Sequence, residues 1–166
     1  MPDSLAKILL IGFGNPGRLD DGLGPALAAQ AETWDIQGLT VDANYQLAVE
    51  DAHEVSLHDV VVFADAAEKG PEPFFFQPVF GKPGMTFSSH AVEPEAVLGM
   101  AEEYFGKKVE AYMLGIRGYK FDEFGEGHSV QAAANLDAAL RFIEPVLRQR
   151  SFREVVDAQP TFEELS

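Results

Sequence analysis

Short apolar runs alternate with amphipathic segments along the chain. The run 60–64 (VVVFA) is continuous, which is typical of a strand covered on both faces. The segment 74–80 is also strand-like, but Pro71, Pro73 and Pro78 favour a position at a sheet edge. Ser129 is the predicted N-cap of the longest helix. The pattern predicts strands over 8–13, 39–43, 60–64, 74–80 and 109–116, and helices over 21–34, 46–55, 94–104 and 129–148.

This alternation of strands and helices predicts right-handed βαβ units. The expected fold class is α/β, a three-layer sandwich in which helices flank a twisted, mostly parallel sheet. We expect a single α/β domain over 1–150, because no linker-like segment divides it. The acidic remainder, 151–166, contains Pro160 and is predicted to be a loosely attached tail.

Composition and charge narrow the possible functions. The 166 residues include no cysteine, which excludes disulfides, thiolate metal sites and a cysteine nucleophile. Twelve Lys and Arg stand against 27 Asp and Glu, a net charge of −15, so nucleic acid and anionic membranes are disfavoured as partners. The start of the chain lacks the basic region of a signal peptide, and no apolar run approaches the ~20 residues that span a bilayer. We therefore expect a cytoplasmic protein.

A glycine-rich loop follows the first predicted strand. Residues 12–17 (GFGNPG) match GxGxxG, the loop that places a dinucleotide phosphate at a helix N-terminus. Here Asp20 and Asp21 stand where the helix begins, and each carboxylate would oppose a nearby phosphate by on the order of 1 kcal/mol or more. The loop therefore suits the presentation of carboxylates better than phosphate binding. Helix capping is the plainer role of both residues, and Asp20 is the stronger capping candidate.

Two further residues are expected at the same sheet edge as Asp21. Asp65 directly follows the 60–64 strand, and His90 precedes a predicted helix. Two carboxylates and one imidazole form a ligand set with open positions for a divalent ion. The plainer alternatives are a turn for Asp65 and an exposed loop position for His90. The other histidines, His53, His58 and His128, lack ligand spacing and are predicted to have surface or packing roles.

Three spaced motifs, GFGNPGRLDDGLG, ADA and SSHAV, resemble those of the nickel–iron hydrogenase maturation endopeptidases. The resemblance runs from about Lys7 to Ile143 and implies a twisted sheet flanked by helices. It also implies an enzyme that removes the C-terminal extension of the hydrogenase large-subunit precursor after nickel insertion. By motif position, Asp21, Asp65 and His90 would contact the nickel, which arrives with the substrate, and no nucleotide is expected. The implied substrate-loop candidates are Gly12, Gly14, Asn15, Asp20 and Asp42.

Some features depart from the family pattern, and other functions stay open. Asp42 is followed by Ala-Asn-Tyr-Gln-Leu, where many members carry Gly-Thr. Either a metal-polarised water or a carboxylate base could drive cleavage. The alternatives are a non-enzymatic nickel-sensing chaperone for the same subunit, a dinucleotide-dependent enzyme and a peptidyl-tRNA hydrolase-like esterase. That hydrolase family shares GFGNPG, but its Thr-Arg-His-Asn segment is absent here. For partner recognition we expect the aromatic segments 74–80 and 119–124.

Overall fold

A five-stranded sheet forms the centre of the computed structural model, which describes residues 5–82 and 92–159. The strand order is β2-β1-β3-β5-β4. Neighbouring strands are parallel except for β4, which runs antiparallel to β5. The mostly parallel sheet predicted from the sequence is therefore confirmed. The strands are β1 Ile8–Phe13, β2 Leu39–Asn44, β3 Val60–Ala67, β4 Phe74–Pro78 and β5 Glu110–Arg117.

Helices cover both faces of the sheet and bury one apolar cluster on each face. One cluster joins Leu10 to residues of α1 and α4, and the other joins Ile11 to residues of α2 and α3. These two clusters confirm the three-layer arrangement. The Ser129 hydroxyl accepts a hydrogen bond from the Ala132 amide and caps α4, as predicted. The helices are a 3-10 turn Leu19–Gly22, α1 Leu23–Glu32, α2 Glu50–Ser56, α3 Pro94–Phe105, α4 Val130–Gln149 and α5 Phe152–Asp157.

Several boundaries differ from the sequence prediction. The helix expected from residue 21 begins as the 3-10 turn, and the one expected from residue 46 begins only at Glu50. There the Asp51 carboxylate accepts a hydrogen bond from the Ala48 amide, which closes a turn before α2. β3 continues past Asp65 because its last residues still pair with β5.

The first residues beyond 150 are helical and packed against the core, whereas the sequence suggested a loosely attached tail. Phe152–Asp157 form helix α5, and the Phe152 ring is buried and stacks on Tyr112 at a centroid distance of 5.4 Å. Val155 and Val156 also pack against the same apolar cluster, so composition, which emphasises the acidic residues here, does not reveal the attachment. Residues 160–166 lie outside the described residues.

The aromatic segment 74–80 is largely part of the core. The ring centroids of Phe74 and Phe76 lie 4.9 and 5.3 Å from that of Phe142, and among the phenylalanines of this segment only Phe80 is exposed. The edge position of β4 is confirmed. Within residues 5–82 and 92–159, no helix has both the length and the apolar character needed to cross a membrane.

Candidate active site

The carboxyl ends of the parallel strands meet at one edge of the sheet, where ligands bind in open α/β folds. The loop that follows β1 runs over this edge into the 3-10 turn that carries Asp20 and Asp21. Asp65 stands near the end of β3, opposite Gly115 of β5. The fold therefore brings two of the predicted site residues, Asp21 and Asp65, to the same edge.

The β1 loop is folded around Asp21. Gly14 has a φ of +140°, and a Cβ on it would lie 2.0 Å from the Asp21 carbonyl oxygen, so only glycine fits. The Asn15 amide donates to the Asp21 carboxylate at 2.8 Å, and the Asn15 side-chain oxygen accepts from the Gly17 amide at 2.8 Å. Both residues therefore act on the position of Asp21.

Gly12, another residue of the glycine loop motif, lies inside β1. A Cβ on Gly12 would lie 2.2 Å from the Gly24 carbonyl oxygen. The glycine lets α1 pack directly against the strand, a role that the third glycine, rather than the first, has in a dinucleotide-binding GxGxxG loop. This contact assigns Gly12 a packing role.

Asp20 is fully buried and joins two loops of the site. Its carboxylate accepts hydrogen bonds from the amides of Tyr119, Lys120 and Ser129 at 2.8, 3.0 and 2.8 Å, and from the Ser129 hydroxyl at 2.7 Å. Burial alone would raise the pKa of Asp20, but these hydrogen bonds outweigh it and hold the pKa below its ordinary value. Asp20 thus fastens the 3-10 turn to the loop between β5 and α4, which differs from the helix-capping role that the sequence suggested.

Asp65 has the most perturbed carboxyl group at this edge. Burial, together with the negative charges of Asp21, Glu93 and Glu68, raises the pKa of Asp65 to about 8, although the Ala66 amide donates to it at 2.8 Å. A carboxyl group in this state holds its proton at neutral pH unless a cation arrives. Perturbation by burial and like charge is typical of functional sites.

The remaining predicted site residues are not part of this pair. Asp42 lies in β2 opposite Ile11, which is itself opposite Phe63, two residues before Asp65. The charge of Asp42 acts instead on Asp51, where burial and neighbouring acids raise the pKa. His90 lies outside the described residues, and within the described ones no group of three or more His, Asp or Glu side chains is arranged to hold a metal ion.

Sequence reasoning did not identify three residues that lie near the acidic pair. Glu68 and Glu93 contribute charge at Asp65, and no motif signals them. The His128 Nε2 atom would lie 3.6 Å from a Cβ on Gly22, so this imidazole is beside the turn that carries Asp21. His53 and His58 have surface or packing roles, as expected: His53 is exposed and contacts the Phe105 ring, and His58 is buried.

Solved structures with this fold include several hydrogenase maturation proteases. The [NiFe] hydrogenase maturation protease HycI from Thermococcus kodakarensis superposes with a TM-score of 0.67 at 20% identity, over 86% of this chain and 93% of that one. The hydrogenase maturating endopeptidase HybD from E. coli superposes with a TM-score of 0.62 at 17% identity, over 87% of this chain and 93% of that one. A hydrogenase 2 maturation peptidase from a Thaumarchaeota archaeon gives a TM-score of 0.61 at 18% identity, over 85% of this chain and 97% of that one.

These likenesses define the class of fold. The chain has the α/β fold of the hydrogenase maturation proteases, as the motif resemblance implied. No protein-family model matches the chain, and no curated protein is similar enough in sequence to match it.

Proposed function

We propose that this chain is a hydrogenase maturation endopeptidase, which acts in the cytoplasm on the nickel-loaded large-subunit precursor and removes its C-terminal extension. The observation that carries the proposal is the convergence of Asp21 and Asp65 at the carboxyl edge of the sheet, in the fold of solved hydrogenase maturation proteases. Two of the motifs that resemble this family, GFGNPGRLDDGLG and ADA, lie at or beside that edge, and the third, SSHAV, falls almost entirely outside the described residues. The substrate class follows from the resemblance, and the acidic pair supplies the chemistry.

The nickel in this proposal belongs to the substrate. Asp21, Asp65 and His90 would contact it, which is a suitable mixture of carboxylate and imidazole ligands for a divalent ion. Because neighbouring acids and burial oppose the ionisation of Asp65, an arriving cation would favour the charged carboxylate and release a proton. The site would therefore respond to nickel occupancy of the precursor.

Two routes to peptide cleavage are compatible with this arrangement. Nickel could polarise a water molecule that attacks the peptide carbonyl. Alternatively, a carboxylate could act as the general base.

Contact with the folded part of the precursor would involve Phe124. Its ring is 80% exposed and is covered on one side by the Arg18 guanidinium, 5.0 Å from the ring centroid. Tyr119, by contrast, is held by hydrogen bonds with Asn135 and Glu72. The loop 119–124 therefore offers one strongly exposed aromatic ring beside the β1 loop, and mixed aromatic and charged surfaces are common at protein interfaces.

Incubation with purified precursor tests the proposed function. We expect the intact mass of the nickel-loaded precursor to fall by the mass of its C-terminal extension, and that of nickel-free precursor to stay unchanged. Stable binding of loaded precursor without a loss of mass would instead identify a nickel-sensing chaperone and contradict the peptidase.

A further inference from the structure

The two edges of the sheet differ in how they are protected. At one end, Pro78 is the last residue of β4 and directs its nitrogen away from β5, so it offers no amide to another strand. At the other end, β2 has no proline and, in the part of the chain that the structure describes, pairs only with β1. The β2 edge is therefore the one open to another strand.

The hydrogen bonds at the two ends of β2 establish which residues face outward. The Gly38 carbonyl accepts from the Ile8 amide at 2.9 Å, and the Asn44 carbonyl accepts from the Gly14 amide at 3.0 Å. In a parallel pair, alternate residues direct both of their backbone groups to the same neighbour. The even-numbered residues of β2 thus form their backbone hydrogen bonds with β1. Val41 and Ala43 instead direct their N–H and C=O groups away from β1, toward the free edge of the sheet.

This edge is continuous with the candidate active site. Asn44 and Tyr45, at the end of β2, line a cavity of about 270 Å³ together with Gly14 and Pro16 of the β1 loop. The same two residues line a second cavity, of about 640 Å³, together with Glu50 and Asp51. The Tyr45 side chain is 74% exposed between these cavities.

We propose that an extended segment of the hydrogenase precursor adds to the free edge of β2 as a further strand, with a Lys or Arg side chain beside Tyr45. This inference rests on the proposed function and names the surface that holds the substrate near the acidic pair. Backbone hydrogen bonds from a sheet edge are a common means of binding extended peptides. The added strand would lie three strand spacings from β3, about 14 Å, which four or five extended residues can span.

The acidic residues near β2 favour a basic precursor segment, rather than a second copy of this chain, as the added strand. Asp42 lies on the edge strand, and Glu50 and Asp51 line the cavity beside Tyr45. Two copies paired through β2 would bring these acids together, on chains that each have a net charge of −15. A basic segment would instead be attracted, and the Tyr45 ring offers a face on which a cation can stack.

The variant Ala43→Pro removes one outward amide. An edge strand tolerates proline where the amide faces away from the sheet, so we expect the melting temperature to stay within a few degrees of wild type. In the precursor assay we expect KM to rise about tenfold with kcat nearly unchanged, because only binding remote from the cleaved bond is weakened. Tyr104→Ala, an exposed ring near the C-terminal end of α3 to which no binding role is assigned, should change neither constant. An unchanged KM in a folded Ala43→Pro protein would overturn the inference.

Amide hydrogen exchange tests the edge without proline and without cleavage. When the Asp65→Asn protein is saturated with nickel-loaded precursor, exchange at Val41 and Ala43 should slow at least tenfold. Equal exchange rates with and without precursor would overturn strand addition. Failure of the proposed function has a different signature, since wild-type protein would then leave the precursor uncut whatever happens at β2.

Discussion

Replacing Asp65 with asparagine is expected to stabilise the protein at pH 8 and to abolish precursor processing. The pKa of Asp65 is raised to about 8 in the folded chain, far above its ordinary value of 3.8. Folding is therefore progressively disfavoured as the pH rises from about 4 to 8, because the unfolded chain loses this proton first. Asparagine has no proton to lose, so the free energy of unfolding at pH 8 should increase by on the order of 3 to 5 kcal/mol.

Urea unfolding at pH 4 and pH 8 measures this effect. The gain should fall to about 0.5 kcal/mol at pH 4, because the unfolded chain, with the ordinary pKa of 3.8, still holds a large share of this proton there. Asp59→Asn is the matched control, because the pKa of Asp59 is shifted in the opposite direction. Hydrogen bonds from the Lys7 amide and the Lys107 side chain lower it. The ionised Asp59 carboxylate of the wild-type protein makes a small stabilising contribution, which is present above about pH 4 and lost in acid. An Asp65→Asn protein no more stable than wild type at pH 8 would contradict the account of this carboxyl group.

Asp20→Ala is expected to lower the free energy of unfolding by about 3 to 5 kcal/mol. The buried carboxylate satisfies three backbone amides and one hydroxyl, and alanine would leave the amides of Tyr119, Lys120 and Ser129 without this acceptor. The loop between β5 and α4 would then detach from the turn that holds Asp21. Thermal unfolding at pH 7 measures the loss.

Asp21→Ala is the natural control for Asp20→Ala, because the two residues are adjacent. Asp21 is only partly buried and accepts a hydrogen bond from a single amide, that of Asn15. We expect its substitution to change stability by no more than ~1 kcal/mol while processing is lost. Equal melting temperatures for Asp20→Ala and wild type would contradict the structural role of Asp20.

The sequence predicts the frame of the fold well, because the relevant signals are local. The continuous apolar run that begins β3 and the Ser129 cap of α4 appear in the structure as expected. The strand-end rule then places Asp21 and Asp65 at one edge, since the carboxyl ends of parallel strands converge.

Other features depend on contacts between distant parts of the chain, and the sequence does not reveal them. Asp20 and its partner Ser129 are 109 residues apart, so no spacing distinguishes this buried acceptor from a local helix cap. The open edge of β2 follows from strand order, which a βαβ pattern leaves open. Phe152 anchors α5 by contacting Tyr112, which is also remote in sequence.

The most direct test of the account is the single-turnover rate of precursor processing by Asp21→Ala, by Asp65→Asn and by the double variant. Residues that act as one unit on the same ion show strongly non-additive losses. We therefore expect each single substitution to reduce the rate at least ~1,000-fold and the double variant to be no slower than either. A near-normal rate in either single variant would contradict the assignment of Asp21 and Asp65 to one nickel-reading site.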